Sequence, residues 1–358
     1  MAGWQSGYAA DCNSVYAGSI PTSASSIWVF PRRGAELNKI LITGITGFIG
    51  GELAHRLAGV AEVHGIFKPC RSRDFRPLSS LKDQIETHEL DISDYAATEN
   101  LLQKIKPDKI VHAAALSPVR ASFDNPIDYL RVNVNGTVNL IQALMKLDDY
   151  RDRRFVFAST AEVYGLQPLE EPFVETLPLA PSSPYACTKA FGDMYVRMSC
   201  DVHGLNSVVM RCVNTFGRKY DKSFFIEYLI DRMLHNQDIH IGAPESIRDY
   251  MWVDDHVNAY LLALDKAQAR GEVLNVSTGV GIRNIEVAHR LADIVGFDKA
   301  RIHIEEYPSK YPQRPITSDQ PYLVLNSAKI QNLLEWPEPT PLDVSLKSAV
   351  DYWRSVKE

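Results

Sequence analysis

The chain has 358 residues, 45% of them hydrophobic and 23% charged, enough to bury a sizeable core in one large or two modest domains. A net charge of -6 without a long lysine or arginine run argues against nucleic acid or an anionic membrane as the main partner and favours a small molecule. No apolar stretch approaches the roughly 20 residues of a membrane span, no signal-peptide pattern is present, and Cys12, Cys70, Cys187, Cys200 and Cys212 lack disulfide or zinc spacing, so a cytoplasmic protein without metal is expected.

Residues 1–36 are rich in Ser, Ala and Gly and carry no sustained periodicity, so they are expected to be an extension outside the folded part, either disordered or foreign to the native protein. Gly18-Ser19-Ile20-Pro21 can be encoded by the T-arm consensus of a transfer-RNA gene, and residues 10–15 by an anticodon arm. The expectation is that an upstream transfer-RNA gene was translated in frame and that the native protein begins near Leu37. N-terminal mass spectrometry that finds this segment in the native protein overturns it.

Residues 39–42 form a short apolar run that predicts a strand, and Thr43-Gly44-Ile45-Thr46-Gly47-Phe48-Ile49-Gly50 follows directly. A strand, a glycine turn and a helix opening at Phe48 and Ile49 place the first helical N–H groups where a pyrophosphate would lie, with the positive end of the helix facing the anion. Gly44 permits the tight turn, Gly47 removes a Cβ beside the phosphates, and Gly50 allows close packing of helix on strand. This spacing is a dinucleotide-binding fingerprint.

Beyond Gly50, strand-like runs at 62–67, 109–113 and 155–159 alternate with amphipathic stretches at 98–105 and 129–145, which predicts βαβ units and an α/β fold with a parallel sheet. Ligands on such sheets bind at the carboxyl ends of the strands. The second strand ends without the Asp or Glu that holds the adenosine ribose of NAD. Lys68, Arg71 and Arg73 stand there and suit a 2′-phosphate, so NADP is expected, with NAD as the alternative. Asp91 and Ile92, after the third strand, are placed to meet the adenine. Ala113, Ala114 and Ala115, after the fourth, leave room for the nicotinamide ribose.

Further on, Tyr185 and Lys189 stand four apart at the start of a helical run, on one face. An ammonium close to a phenol favours phenolate, which would make Tyr185 a base usable near neutrality, and Lys189 is also placed to hydrogen-bond the nicotinamide ribose. Ser159-Thr160-Ala161-Glu162-Val163-Tyr164-Gly165 closes the fifth strand, so the two segments are expected to converge.

Six motifs in order, namely the glycine turn, His112-x-Ala114-Ala115, the Ser159–Gly165 segment, Ser183-Pro184-Tyr185-x-x-x-Lys189, Arg211-x-x-Asn214 and Arg248-Asp249-Tyr250-x-x-Val253-Asp254-Asp255, resemble the extended short-chain dehydrogenase/reductase family of nucleotide-sugar epimerases and dehydratases over residues 38–356. The resemblance implies a Rossmann-type doubly wound parallel sheet with a smaller C-terminal substrate-binding lobe. The dinucleotide domain is expected at 37–214 with 248–282 returning to it, and the sugar lobe at 215–247 and 283–356. Within the family, Thr160 with Glu162 points to 4,6-dehydration, Glu162 removing the C5 proton that a 4-keto group acidifies. Ala161 replaces the aspartate of dTDP-glucose dehydratases, and residues 63–66, Val-His-Gly-Ile, with their basic tail resemble GDP-mannose 4,6-dehydratases.

The function expected is therefore a nucleotide-sugar 4,6-dehydratase of GDP-mannose type that retains its nicotinamide cofactor. A 4-epimerase or 4-ketosugar reductase is the first alternative, and a non-catalytic cofactor-binding regulator is an alternative of another class. A nucleotide-diphosphate sugar is the expected partner, held by Ser117, Arg120, Ser122, Asn214, Arg248 and Arg314, the arginines as forks for the diphosphate. Residues 129–145 and 185–202 resemble the helices that pair in a four-helix bundle, which implies a homodimer.

Overall fold

The computed structural model describes residues 38–68, 75–168, 171–304, 315 and 318–356. The extension at 1–36, and with it Arg71, Arg73 and Arg314, lies outside the described residues.

Seven parallel strands build the central sheet: β1 (Lys39–Thr43), β2 (Glu62–Phe67), β3 (Ile85–Glu89), β4 (Lys109–His112), β5 (Arg154–Ala158), β6 (Ser207–Cys212) and, after four short strands, β11 (Val273–Val276). Their order across the sheet is β11-β6-β5-β4-β1-β2-β3, so the chain steps outward from β1 in both directions. That reversal between β1 and β4 is the doubly wound topology, and it leaves a crevice at the carboxyl ends of the two strands. Except at the edge strand β3, where Glu86, Thr87 and Glu89 are exposed, both faces are buried, so the strands read as near-continuous apolar runs: in β1, Ile40 and Ile42 serve one face and Leu41 the other.

On Leu41's face, α2 (Tyr95–Ile105), α5 (Gly136–Leu144) and α6 (Pro184–His203) contribute Leu102, Leu140, Leu144 and Val196. Two short helices, α3 (Val119–Asp124) and α4 (Pro126–Tyr129), lead into them. The opposite face is covered by α1 (Phe48–Leu57), α8 (Val253–Asp265) and α10 (Ala328–Leu334), through Leu53, Leu57, Val257, Leu264, Ile330 and Leu334. Residues 129–145, expected as one amphipathic stretch, form the end of α4, a π-helical turn at Leu130–Asn135, and α5.

A second apolar cluster makes the smaller lobe. It joins α7 (Phe225–Leu234), α9 (Asn284–Val295) and α11 (Leu342–Ser355) through Leu229, Ile230, Leu291, Leu346, Val350 and Trp353. Short strand pairs edge it: β7 (Asn214–Phe216) with β10 (Tyr250–Trp252), β8 (Ile239–Ile241) with β13 (Ile302–Ile304), and β9 (Ile247–Arg248) between β12 (Ile282–Arg283) and β14 (Tyr322–Leu323). Leu323, Leu325, Ile330, Leu334 and Trp336 pack in the large core instead, so the chain returns to the sheet before its last helix.

Candidate active site

The turn after β1 is built as its glycines require. Gly44 has φ 74, and a Cβ there would lie 2.8 Å from Ala114 Cα; a Cβ on Gly50 would lie 2.3 Å from Gly44 O, closer than any side chain tolerates. The helix therefore starts tight against the strand end. Gly47 is the N-cap of α1, with no side-chain cap and no acidic residue in the first turn. An exposed ring of N–H dipoles free of competing carboxylates suits a pyrophosphate, so this end of the cleft fits a dinucleotide.

A polar network locks the crevice. Thr43 Oγ1 pairs with His112 Nδ1 at 2.7 Å and accepts from Ala114 N at 3.1 Å, while His112 Nε2 pairs with Thr137 Oγ1 at 2.9 Å. Asn133, in the π-helical turn, donates to Leu116 O and Thr188 Oγ1, both at 3.0 Å, and Thr188 Oγ1 donates to Tyr185 O at 2.7 Å. The β1 and β4 strand ends and the start of α6 thus share one framework.

A cleft of about 350 Å³ runs from this turn to the small lobe. Gly44, Gly47, Phe48, Ile49, Gly50, Ala113, Ala115, Ser117, Thr160, Glu162, Tyr185, Lys189 and Asn214 all line it. Ser183 caps α6, its Oγ accepting from Ala186 N at 3.1 Å, and Pro184 takes the first helical position, so Tyr185 and Lys189 enter on one face. Thr160 caps the short helical turn Ala161–Tyr164, and its hydroxyl hydrogen-bonds the Tyr185 phenol.

The electrostatics differ from the sequence expectation at one point. Burial raises the Tyr185 phenol above its ordinary value, the Thr160 hydrogen bond opposes that rise, and the Glu162 charge adds to it. Lys189, lowered to about 8 by burial, sits with Nζ 4.4 Å from the centroid of the Phe157 ring. An acidified phenol is thus not what this arrangement holds, because burial favours the neutral form and the ammonium rests over an aromatic face.

At the far end of the sheet, burial opposes ionisation of Asp91, but hydrogen bonds from Ser93 and Arg131 and the charge of Lys68 outweigh it and hold the carboxyl at about 2. Lys68 Nζ is 3.6 Å from Asp91 Oδ2 and Arg131 Nη1 is 2.9 Å from it. Ile92 is buried against Gly136.

Three expected substrate residues do not line the cleft. Ser122 is fully buried with its hydroxyl on Val119 O, Arg120 is exposed on α3, and Arg248 is spent on Ile247 O and Asp319 Oδ1. Arg218 is the arginine that does line it, its guanidinium 4.3 Å from the Phe48 ring centroid and 3.4 Å from that of Phe224. Gln320, 2% exposed, donates from Nε2 to Glu162 Oε2 at 3.0 Å. Neither Arg218 nor Gln320 was singled out from sequence. Arg218 follows Asn214-Thr215-Phe216-Gly217 closely enough to have been a candidate, whereas Gln320 carries no local signal.

The sequence model of the GDP-mannose 4,6 dehydratase family matches residues 41–348. The chain belongs to this family. Among curated relatives of this family member, a dTDP-glucose 4,6-dehydratase of Xanthomonas campestris pv. campestris is 29% identical over 87% of this chain and 92% of the relative. The enzyme of the same description from Haemophilus influenzae is 31% identical over 72% and 79%. Similar solved structures include a UDP-glucose 4-epimerase of Thermotoga maritima with UDP-glucose, at TM-score 0.79 and 28% identity, covering 89% of this chain and 100% of that one. A dTDP-glucose 4,6-dehydratase of Bacillus anthracis in complex with NAD superposes with TM-score 0.79 at 25% identity, covering 89% and 97%. Among the described residues no helix is long and apolar enough to cross a membrane.

Proposed function

We propose that the protein is a nucleotide-sugar 4,6-dehydratase working with a retained nicotinamide cofactor. The observation that carries this reading is that Thr160, Tyr185 and Glu162 share one cleft with the uncapped N terminus of α1. Gly44, Gly47 and Gly50 with Phe48 and Ile49 hold the pyrophosphate, Asp91 and Ile92 the adenosine end, and Ala113, Ala114 and Ala115 the nicotinamide ribose. The cofactor, when bound, supplies the two-electron acceptor for C4 and donor for C6, so no net redox change results.

The chain's own groups move the protons. Tyr185 would receive the 4-hydroxyl proton as phenolate, a form that burial opposes and that the Lys189 ammonium and the positive charge of a bound oxidised nicotinamide would favour, with Thr160 fixing the phenolic oxygen. Glu162 takes the C5 proton made acidic by the 4-keto group and passes it to the C6 hydroxyl, which leaves as water; C5 then regains a proton, from solvent through the same carboxylate, as C6 is reduced. Ala161 is a buried methyl with no proton to give, so a single carboxylate serves both steps. Ser117, Asn214 and Arg218 face the sugar diphosphate.

The finer assignment is GDP-mannose as preferred sugar and NADP as preferred cofactor. Ala161 and the family match support the first; Lys68 in place of an acidic residue after β2 supports the second, and NAD in the related Bacillus enzyme favours the alternative. Similarity to the Thermotoga epimerase favours 4-epimerisation as the second reading, which needs only Thr160, Tyr185 and Lys189. The test is mass spectrometry after incubation with GDP-mannose, dTDP-glucose, UDP-glucose, UDP-N-acetylglucosamine and CDP-glucose, each with NADP or NAD. Loss of one water from one substrate supports dehydration; unchanged mass with altered mobility supports epimerisation. The Glu162→Gln variant is expected to bind cofactor normally and release no dehydrated sugar. Wild-type dehydration by this variant would remove Glu162 from the mechanism.

A further inference from the structure

β2 and β3 are the outer pair of the sheet, in parallel register with His64 opposite Glu86 and Ile66 opposite His88. Side chains two apart share a face, so His64, Glu86 and His88 project together, on the side where Ile66 packs with Leu102 of α2. His64 Nδ1 and His88 Nε2 are 3.1 Å apart. The Glu86 carboxylate stands 3.5 Å from the first nitrogen and 3.7 Å from the second, through its two oxygens.

Those spacings match one face of a metal tetrahedron: ligands at about 2.0–2.1 Å from zinc lie about 3.3 Å from one another. The outer contact fits too. His64 Nε2 is 3.0 Å from Glu62 Oε1, which places the ring proton on Nε2 and the lone pair on Nδ1, toward the other two donors. Two histidines with side chains 7% and 12% exposed form a sheltered floor, and Glu86, 58% exposed, opens the site to solvent for entry and for a water in the fourth position.

We propose that His64, His88 and Glu86 bind a divalent cation of the zinc class, with Glu62 orienting His64. Two imidazoles select this class over magnesium or calcium, whose preference is for oxygen. None of the four residues lines the active cleft, so the ion would clamp the edge strand β3 to β2. Two charges oppose it: Lys104 of α2, which acts on His88, and Lys39 of β1, whose Nζ is 3.6 Å from the Glu62 Oε1 that orients His64.

The test is titration of the metal-stripped full chain with Zn²⁺ against a chromophoric chelator, with thermal unfolding followed in parallel. One zinc per chain and a zinc-dependent rise in Tm are expected. Glu62→Gln should weaken binding about 10–100-fold, as loss of an outer carboxylate does. Glu86→Gln and His88→Gln should weaken it further and lose the rise in Tm, and Lys104→Gln should tighten it. Glu86 is exposed enough for its variant to fold, which circular dichroism checks. No uptake by the folded wild type, or wild-type uptake by both ligand variants, overturns the proposal.

Discussion

Gln320 holds Glu162, the proposed proton carrier, at a set angle: its amide donates to Glu162 Oε2 at 3.0 Å and to Ser182 Oγ at 3.4 Å. Without it, Glu162 retains its chemistry and loses its aim. Gln320→Leu is expected to lower kcat for dehydration by up to about 10²-fold while leaving cofactor binding unchanged, since misplacement by about 1 Å costs that much; an unaltered kcat would assign Gln320 to packing alone. His112 and His256 illustrate burial acting on charge. Burial lowers both to about 3, with the Lys189 charge adding at His112 and that of Arg218 at His256. A histidine depressed in the folded state binds fewer protons than it does unfolded, so its contribution is present above about pH 6.5 and is lost as pH falls toward 3. The midpoint of urea unfolding is expected to fall from pH 7 to pH 4, less steeply in a His112→Gln/His256→Gln variant; equal slopes would contradict this. The motif residues Thr160, Tyr185 and Lys189 were legible because each sits beside its own local signal, a strand end or a capped helix start. Gln320 was not, because it lies 158 positions from the group it serves.

At the scale of elements, α1 and the turn before it behave against helix propensity. Replacing a helical glycine by alanine ordinarily gains about 1 kcal/mol. In α1 the methyl of Gly50→Ala would press on the Gly44 carbonyl, a backbone atom with little freedom to move. Gly50→Ala is therefore expected to destabilise the fold by about 1–3 kcal/mol and to weaken dinucleotide binding, read from thermal unfolding and a cofactor titration. A stabilised variant would mean that the turn relaxes. The motif Arg211-x-x-Asn214 divides along the same lines. Arg211, 1% exposed, meets both oxygens of Asp193 at 2.8 and 3.1 Å and the Tyr164 hydroxyl at 2.9 Å, so it braces β6 against α6, while Asn214 reaches the cleft. Spacing alone does not separate a brace from a binding group, since both are polar residues near a strand end.

For the whole molecule, α6 carries Phe191, Met194, Met198 and Val202 exposed on one face, at 38%, 52%, 36% and 67%. With Ile127 of α4 and Leu130, the first residue of the π-helical turn, also exposed, this stripe is the surface that the homodimer expected from the resemblance would cover in a four-helix bundle. Met194→Glu is expected to shift the mass seen by light scattering from dimer to monomer; a monomeric wild type would refute the bundle. What the sequence by itself determined is the alternation of strands and helices from β1 to β5, the dinucleotide turn and the convergence of Thr160, Glu162, Tyr185 and Lys189 on one cleft, because periodicity, glycine geometry and capping act over a few residues. Only the tertiary structure decided that Arg248 pairs with Asp319 while Arg218 faces the cleft, that Lys189 rests over Phe157, and that His64, Glu86 and His88 meet across two strands. Those outcomes depend on which distant side chains compete for the same buried space and charge, and that competition exists only once the sheet has closed.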